Sequence, residues 1–158
     1  MTDNPNASQT WASIRFSGRN LDPEAVTRAL GISPSTSFRR GQERATNKKW
    51  NHGHWGLTSE GNVSSTDLEL HITWLVDQLL PVQDRLRDLL HSGDYEGKIM
   101  ADIFCYWESA TGNGGPGFSP ELMGKLSSLG LSLELDIYFA PSAQLFDQPF
   151  LDPGHLID

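Results

Sequence analysis

The sequence predicts an α+β fold in a single domain, with a mixed or antiparallel sheet and helices gathered mainly on one face. Three observations carry this expectation. Residues 66–90 hold the longest helical pattern in the chain, with Leu68, Ile72, Leu75, Val76, Leu79, Gln83, Leu86 and Leu90 on one side of a helix of about 3.6 residues per turn. Residues 97–108 and 131–139 alternate apolar and polar side chains with the period of a strand. A strand-then-helix pattern also occurs twice, on either side of the long helix: Leu21-Asp-Pro-Glu leads to Leu30-Gly-Ile-Ser, and Phe118-Ser-Pro-Glu leads to Leu129-Gly-Leu-Ser. Duplication explains the likeness, and so does punctuation that any such unit requires.

Taken in order, residues 1–10 are polar and read as a disordered N-terminus, with the domain over 11–139 and a tail over 140–158. Ala12, Ile14 and Phe16 alternate with Ser13, Arg15 and Ser17, which predicts a half-buried strand. A helix follows, with Asp22 as its N-cap, Pro23 at its first position and Gly31 as its stop. Residues 35–59 read as a polar loop between two short strands. The long helix opens with a capping box, Thr66 with Glu69, and closes at Gly93; Pro81 predicts a kink or two helices on one stripe. In the next strand Ile99, Ala101, Ile103, Cys105 and Trp107 point to the core. Ser119 caps a helix that buries Leu122, Met123, Leu126 and Leu129, and Gly130 ends it. The last strand turns Leu131, Leu133, Leu135, Ile137 and Phe139 inward. The tail carries Leu145, Phe146, Phe150, Leu151 and Leu156, apolar enough to lie against the domain or a partner.

Composition bounds the function. A chain of 158 residues can bury a core without metals or disulfides, and its one cysteine, Cys105, excludes an internal disulfide. No apolar run approaches the length that spans a bilayer, and the expected location is the cytoplasm. The net charge of −8 is unevenly laid out: residues 1–60 hold eight Lys/Arg and five Asp/Glu, whereas residues 61–158 hold four and fifteen. An acidic majority repels phosphates and favours basic partners, which disfavours nucleic acid.

The series Phe16-Ser-Gly-Arg-Asn-Leu-Asp-Pro-Glu, Ala29-Leu-Gly-Ile-Ser-Pro, Phe38-Arg-Arg-Gly-Gln-Glu, Trp55-Gly-Leu, a long Leu-rich helix, and Phe118-Ser-Pro-Glu through Leu129-Gly-Leu-Ser-Leu-Glu-Leu-Asp-Ile-Tyr resembles the bacterial domain of unknown function 4279 over residues 11–139. Its motifs are caps, turns and core positions. The resemblance implies a single α+β domain of bacterial type, and no activity or catalytic residue comes with it.

The candidate sites are surfaces. The outward side of the sheet should show Trp11, Arg15, Asp102, Phe104, Tyr106, Glu134, Asp136 and Tyr138, an aromatic and acidic mixture suited to a basic protein partner, unless the long helix or the tail covers it. The alternative is a ligand site built from Arg39, Arg40, Trp50 and Trp55 across a cleft from the loop Gly112-Asn-Gly-Gly-Pro-Gly117, which precedes a helix N-terminus. His52 and His54 stand two residues apart but are too few to hold zinc, and no metal or cofactor is expected. No nucleophile elbow appears, and Cys105 on a buried strand face has no evident base. The sequence therefore points to a non-enzymatic protein-binding module, with an immunity-type inhibitor of a bacterial toxin as one form of it, and a small-ligand-binding protein or enzyme as the alternative.

Overall fold

Alternation in two central strands decides the layout. The structure, a computed structural model, describes residues 3–92 and 97–139. Its elements are β1 (Ala7–Gly18), α1 (Pro23–Leu30), β2 (Thr36–Phe38), β3 (Glu43–Ala45), β4 (Lys48–Lys49), β5 (Gly53–Thr58), α2 (Leu68–Leu79), a 3-10 turn (Leu80–Val82), α3 (Gln83–His91), β6 (Met100–Ser109), α4 (Pro120–Leu129) and β7 (Ser132–Tyr138). Five strands form one sheet in the order β2-β5-β1-β6-β7, and β3 and β4 form a separate small hairpin. Within the large sheet β6 and β7 are parallel and the other pairs antiparallel. The sheet is mixed and the fold is α+β.

One face of that sheet is the core. Ala12, Ile14 and Phe16 of β1, Trp55 and Leu57 of β5, and Ile103, Cys105 and Trp107 of β6 are buried in one cluster with residues from the helices, Val26, Leu30, Leu68, Ile72, Leu75, Val76, Leu79, Leu86, Leu122, Leu126 and Leu129 among them. Burying a row of such side chains contributes about 1.5–3 kcal/mol each before conformational entropy is counted. All the helices thus lie on the same side. Pro81 interrupts the long helical pattern as the sequence predicts: a 3-10 turn separates α2 from α3, and one apolar stripe runs through both.

The two strand-helix units share their punctuation and differ in their pairing. Asp22 and Ser119 accept from backbone amides as N-caps, and Gly31 and Gly130 both close their helices at φ 69°. In the second unit β6 and β7 pair directly, whereas in the first β5 is inserted between β1 and β2. Gly53 makes that insertion possible, since a Cβ there would lie 2.1 Å from the Leu21 carbonyl oxygen.

Several expectations change. β1 begins at Ala7, so residues 7–10, read as part of a disordered N-terminus, lie in the sheet, and a bulge between Ala7 and Gln9 lets the pairing with β6 extend that far. The cap of α2 is Asp67, whose carboxylate accepts from the Glu69 amide at 3.0 Å, and not Thr66, whose hydroxyl donates to the Asn4 carbonyl. Met123 is 51% exposed because it sits one position past Leu122 and is turned off the buried stripe. Leu135 and Phe139 are 46% and 52% exposed although their alternation is correct, because β7 is an edge strand that the helix layer does not fully cover. The expected stop at Gly93 and the tail over 140–158 lie outside the described residues.

A buried polar cluster ties α2 to β1. Ser59 and His71 are both enclosed. The Ser65 carbonyl can only accept, so His71 Nε2 donates to it at 2.9 Å, while His71 Nδ1 lies 2.7 Å from Ser59 Oγ, which also donates to the Ala12 carbonyl at 3.0 Å. Ser59 Oγ in turn accepts from the Ala12 amide at 2.9 Å. Enclosed and fully partnered, this serine and histidine fasten the fold and have no access to substrate.

The cap assignment is testable. Asp67→Ala should lower stability by about 1 kcal/mol, the usual value of an N-cap carboxylate, measured as a shift in the urea midpoint at unchanged slope. A midpoint equal to that of the native chain would show that Asp67 does not hold the helix start.

Candidate functional site

The face opposite the helices is set by the same register. Arg15 stands directly across from Asp102, Ser13 from Phe104 and Trp11 from Tyr106 on β6; on the far side of β6, Phe104 pairs with Glu134, Tyr106 with Asp136 and Glu108 with Tyr138. In the other direction Arg15 faces Gly56, Ser13 faces Thr58, and Gly56 faces Thr36 on β2. Trp11, Arg15, Asp102, Phe104, Tyr106, Glu134, Asp136 and Tyr138 are therefore together on one surface. None of its aromatic residues belongs to the core cluster. The long helix lies on the opposite face, and the tail over 140–158, the other expected cover, lies outside the described residues.

These side chains are held by one another. Arg15 donates to both oxygens of Asp102 at 2.8 and 2.9 Å, and its guanidinium lies 4.6 Å from the centre of the Phe104 ring. Trp11 stacks on Tyr106 with ring centres 5.5 Å apart and 6° between planes, and Tyr106 meets Tyr138 at 5.2 Å. The phenol tips turn to acids: Tyr106 donates to Glu108 and Tyr138 to Asp136. Burial, followed by the hydrogen bond to Glu108 and that residue's charge, pushes the Tyr106 hydroxyl up to about 12; the Asp136 carboxylate raises Tyr138.

Between β1 and β5 the surface sinks into a depression of about 310 Å³, bordered by Trp11, Arg15, Phe104, His54 and Glu60 and floored by Ser13, Gly56 and Thr58. Sequence reading missed it. The signal was Gly56, a residue without a side chain at an outward position of β5, legible only once its partner in β1 is known. Burial, then His52 and Arg15, holds the His54 imidazole below its ordinary pKa, and His54 Nε2 lies 3.3 Å from Thr36 Oγ1.

The alternative ligand residues are not gathered. Trp55 is wholly buried on the helix side, where its indole N–H donates to Thr27 Oγ1 at 3.0 Å. Trp50 stacks on Phe38 with ring centres 3.7 Å apart, and Arg44 lies over its ring at 4.6 Å. Arg39 is engaged by Asp22 and Glu24 at 2.9 Å each, and Arg40 reaches Asn20. The segment flanks the end of β1, where Gly18 faces Gly53, while the glycine-rich loop flanks its start, where Ala110 donates to Asn6 and Asn4 to Gly115. No cleft joins them, because the length of β1 lies between.

The helix N-terminus after that loop already holds an anion of the protein's own. The Glu69 carboxylate accepts from both the backbone amide and the hydroxyl of Ser119, the N-cap of α4. His52 bonds to Asn51 and His54 to Thr36, while Cys105 lies on the other side of the sheet, so the three do not converge. Burial pushes the Cys105 thiol up to about 12.

Two consequences are measurable. Burial keeps the Cys105 thiol protonated at pH 8 in the folded protein, so a thiol reagent should label it far more slowly than in urea. Equal rates would show that Cys105 is accessible. Cys105 and Tyr106 also keep their protons to higher pH in the folded than in the unfolded chain. A thiol and a phenol ordinarily titrate near 9.0 and 10.0, so between about pH 9 and 12 the folded state binds more protons and stability should fall as pH rises. A flat urea midpoint across that window would contradict the raised titration of both groups.

Among the described residues no helix is long and apolar enough to cross a membrane. No curated protein and no solved structure matches the chain. A family model described as a domain of unknown function does match it, over residues 8–140, which is most of its length. With the caps, the core positions and the mixed sheet of that span now placed, the chain belongs to the DUF4279 family.

Proposed function

We propose that this protein is a non-enzymatic binding module whose open sheet face receives a basic protein. One observation carries the reading: every helix packs on one side of the sheet, leaving Trp11, Phe104, Tyr106 and Tyr138 on the other with Asp102, Glu134 and Asp136 among them. Large rigid aromatics give contact area at low entropic cost, and the acids select the sign of the partner. Among the described residues neither Glu134 nor Asp136 has a basic partner, so both are available to a cation from outside. The net charge of −8 supports the same sign of partner over longer distance.

An immunity-type inhibitor of a bacterial toxin is the specific form we favour. Small size, acidic charge and a recognition face without a reactive cluster support it. A single cysteine supports the cytoplasm as its location. The small-ligand alternative through Arg39, Arg40, Trp50 and Trp55 has less support, since these residues are dispersed between the core, the small hairpin and the α1 cap.

The test uses the native chain and the double variant Glu134→Lys, Asp136→Lys as parallel baits in lysate of the source cells, with thermal melts to establish that both are folded. A basic protein retained by the native chain and bound at least about tenfold more weakly by the variant is the expected result. Equal retention by both would remove the acidic part of this face from the binding site.

A further inference from the structure

The depression on the open face has the makings of an anchor pocket, and this inference rests on the binding role proposed above. Its floor is low because Ser13 faces Thr58, and because Gly56 faces Arg15, whose side chain is turned to Asp102 on β6. A Cβ at Gly56 would come within 2.9 Å of both His54 Nε2 and Thr36 Oγ1, so glycine lets those two side chains approach each other over the strand and close that end of the depression. The wall is aromatic. Trp11 stacks on Tyr106 and meets Phe104 at 5.4 Å, both on β6, and its ring borders the depression.

Its charge follows from the pairings. Arg15 is matched by the two-pronged bond to Asp102, and burial, then His52 and Arg15, disfavour the charged form of the His54 imidazole. Glu60 remains. It is exposed at the rim, and among the described residues its carboxylate has no ion pair. The pocket therefore carries one uncompensated negative charge beside the Trp11 ring, with the hydroxyl of Ser13 on its floor. An ammonium or guanidinium placed there meets a π face and a carboxylate at once. A volume of about 310 Å³ is at the low end of ligand pockets, which suits one side chain better than a cofactor.

We propose that this depression takes a single lysine or arginine side chain of the basic partner, its stem lying along Trp11 and its charged end reaching Glu60. The anchor would share its face with the acidic strip of β7, with β6 between them, so the one pocket and the wider face would read the same partner.

The experiment uses the whole chain and three small probes: Nα-acetyl-arginine amide, Nα-acetyl-lysine amide, and Nα-acetyl-citrulline amide, which keeps the arginine shape without its charge. Binding is read from the indole N–H resonance of Trp11, identified by its loss in Trp11→Phe. The cationic probes should shift that resonance saturably with dissociation constants on the order of millimolar. Glu60→Gln should weaken them about fivefold, the most that an exposed ion pair usually supplies, and the citrulline probe should bind correspondingly weakly to the native chain. The variant Glu134→Lys, Asp136→Lys lies outside the pocket and should leave probe binding intact. An unmoved Trp11 signal at tens of millimolar cationic probe, or equal binding of citrulline, or an unchanged constant in Glu60→Gln, overturns the anchor. If the β7 variant loses the protein partner while the probes fail to bind, the face stands and the anchor falls. If the probes bind as expected and the β7 variant keeps its partner, the anchor stands and the acidic strip falls.

Discussion

The pairing of β1 with β6 is the constraint from which the remaining architecture follows. Ala12 opposite Cys105, Ile14 opposite Ile103 and Phe16 opposite Ala101 put the apolar sets of both strands in phase, and a slip of one residue would turn one set toward water. Two polar features hold the register from opposite faces. On the open side Arg15 and Asp102 occupy directly paired positions and join through two charge-assisted bonds, a geometry that a shifted strand could not keep. On the buried side Ser59 binds the Ala12 amide and His71 of α2 binds Ser59, so the helix layer is fastened to the same strand at Ala12. Leaving any of those enclosed groups without a partner would cost about 1–3 kcal/mol.

Much of this fold was legible because its signals are local. The alternation of β1 and β6, the caps at Asp22 and Ser119, the closing glycines Gly31 and Gly130, and the break at Pro81 are each read from a few neighbouring residues, and each is in the structure. Errors arose where a neighbour distant in sequence decides. Thr66 and Asp67 are both competent caps; Asn4, sixty-two residues away, accepts from Thr66 and leaves Asp67 to the helix. Glu69 suits a capping box by spacing, yet it tethers Ser119 at the start of α4. Leu135 has the right parity for burial, but parity does not say where the helix layer ends. The aromatic positions of the open face were legible by parity as well, whereas the depression depends on which residue of β5 faces which residue of β1.

The second strand-helix unit shows how one cap can organise two elements. Glu69 is two residues past the cap of α2, and its carboxylate binds the cap residue of α4, so the starts of two helices are held together. The same contact places a negative charge where the glycine-rich loop and helix terminus would otherwise attract an anion. A feature that reads as a ligand site in one dimension is thus a structural joint in three. His52 and His54 follow the same logic: each finds a neighbouring polar group, and they sit against the Phe38 ring instead of turning toward a shared ion.

The open face is ordered by its own contacts. Trp11, Tyr106 and Tyr138 form a run of rings, the two phenols are fixed by Glu108 and Asp136, and Arg15 is fixed by Asp102 and Phe104. Side chains already confined in this way lose little rotamer freedom when a partner arrives, so contact on this surface converts to affinity with a smaller entropic penalty than contact on mobile residues. The fold does not need these aromatics for its core, which is complete on the other face. What their mutual stacking adds is rigidity and shape at the surface. The carboxylates on that surface then have different parts: Asp102 holds Arg15, Glu108 and Asp136 hold the two phenols while keeping their charge, and Glu60 and Glu134 have no side-chain partner among the described residues.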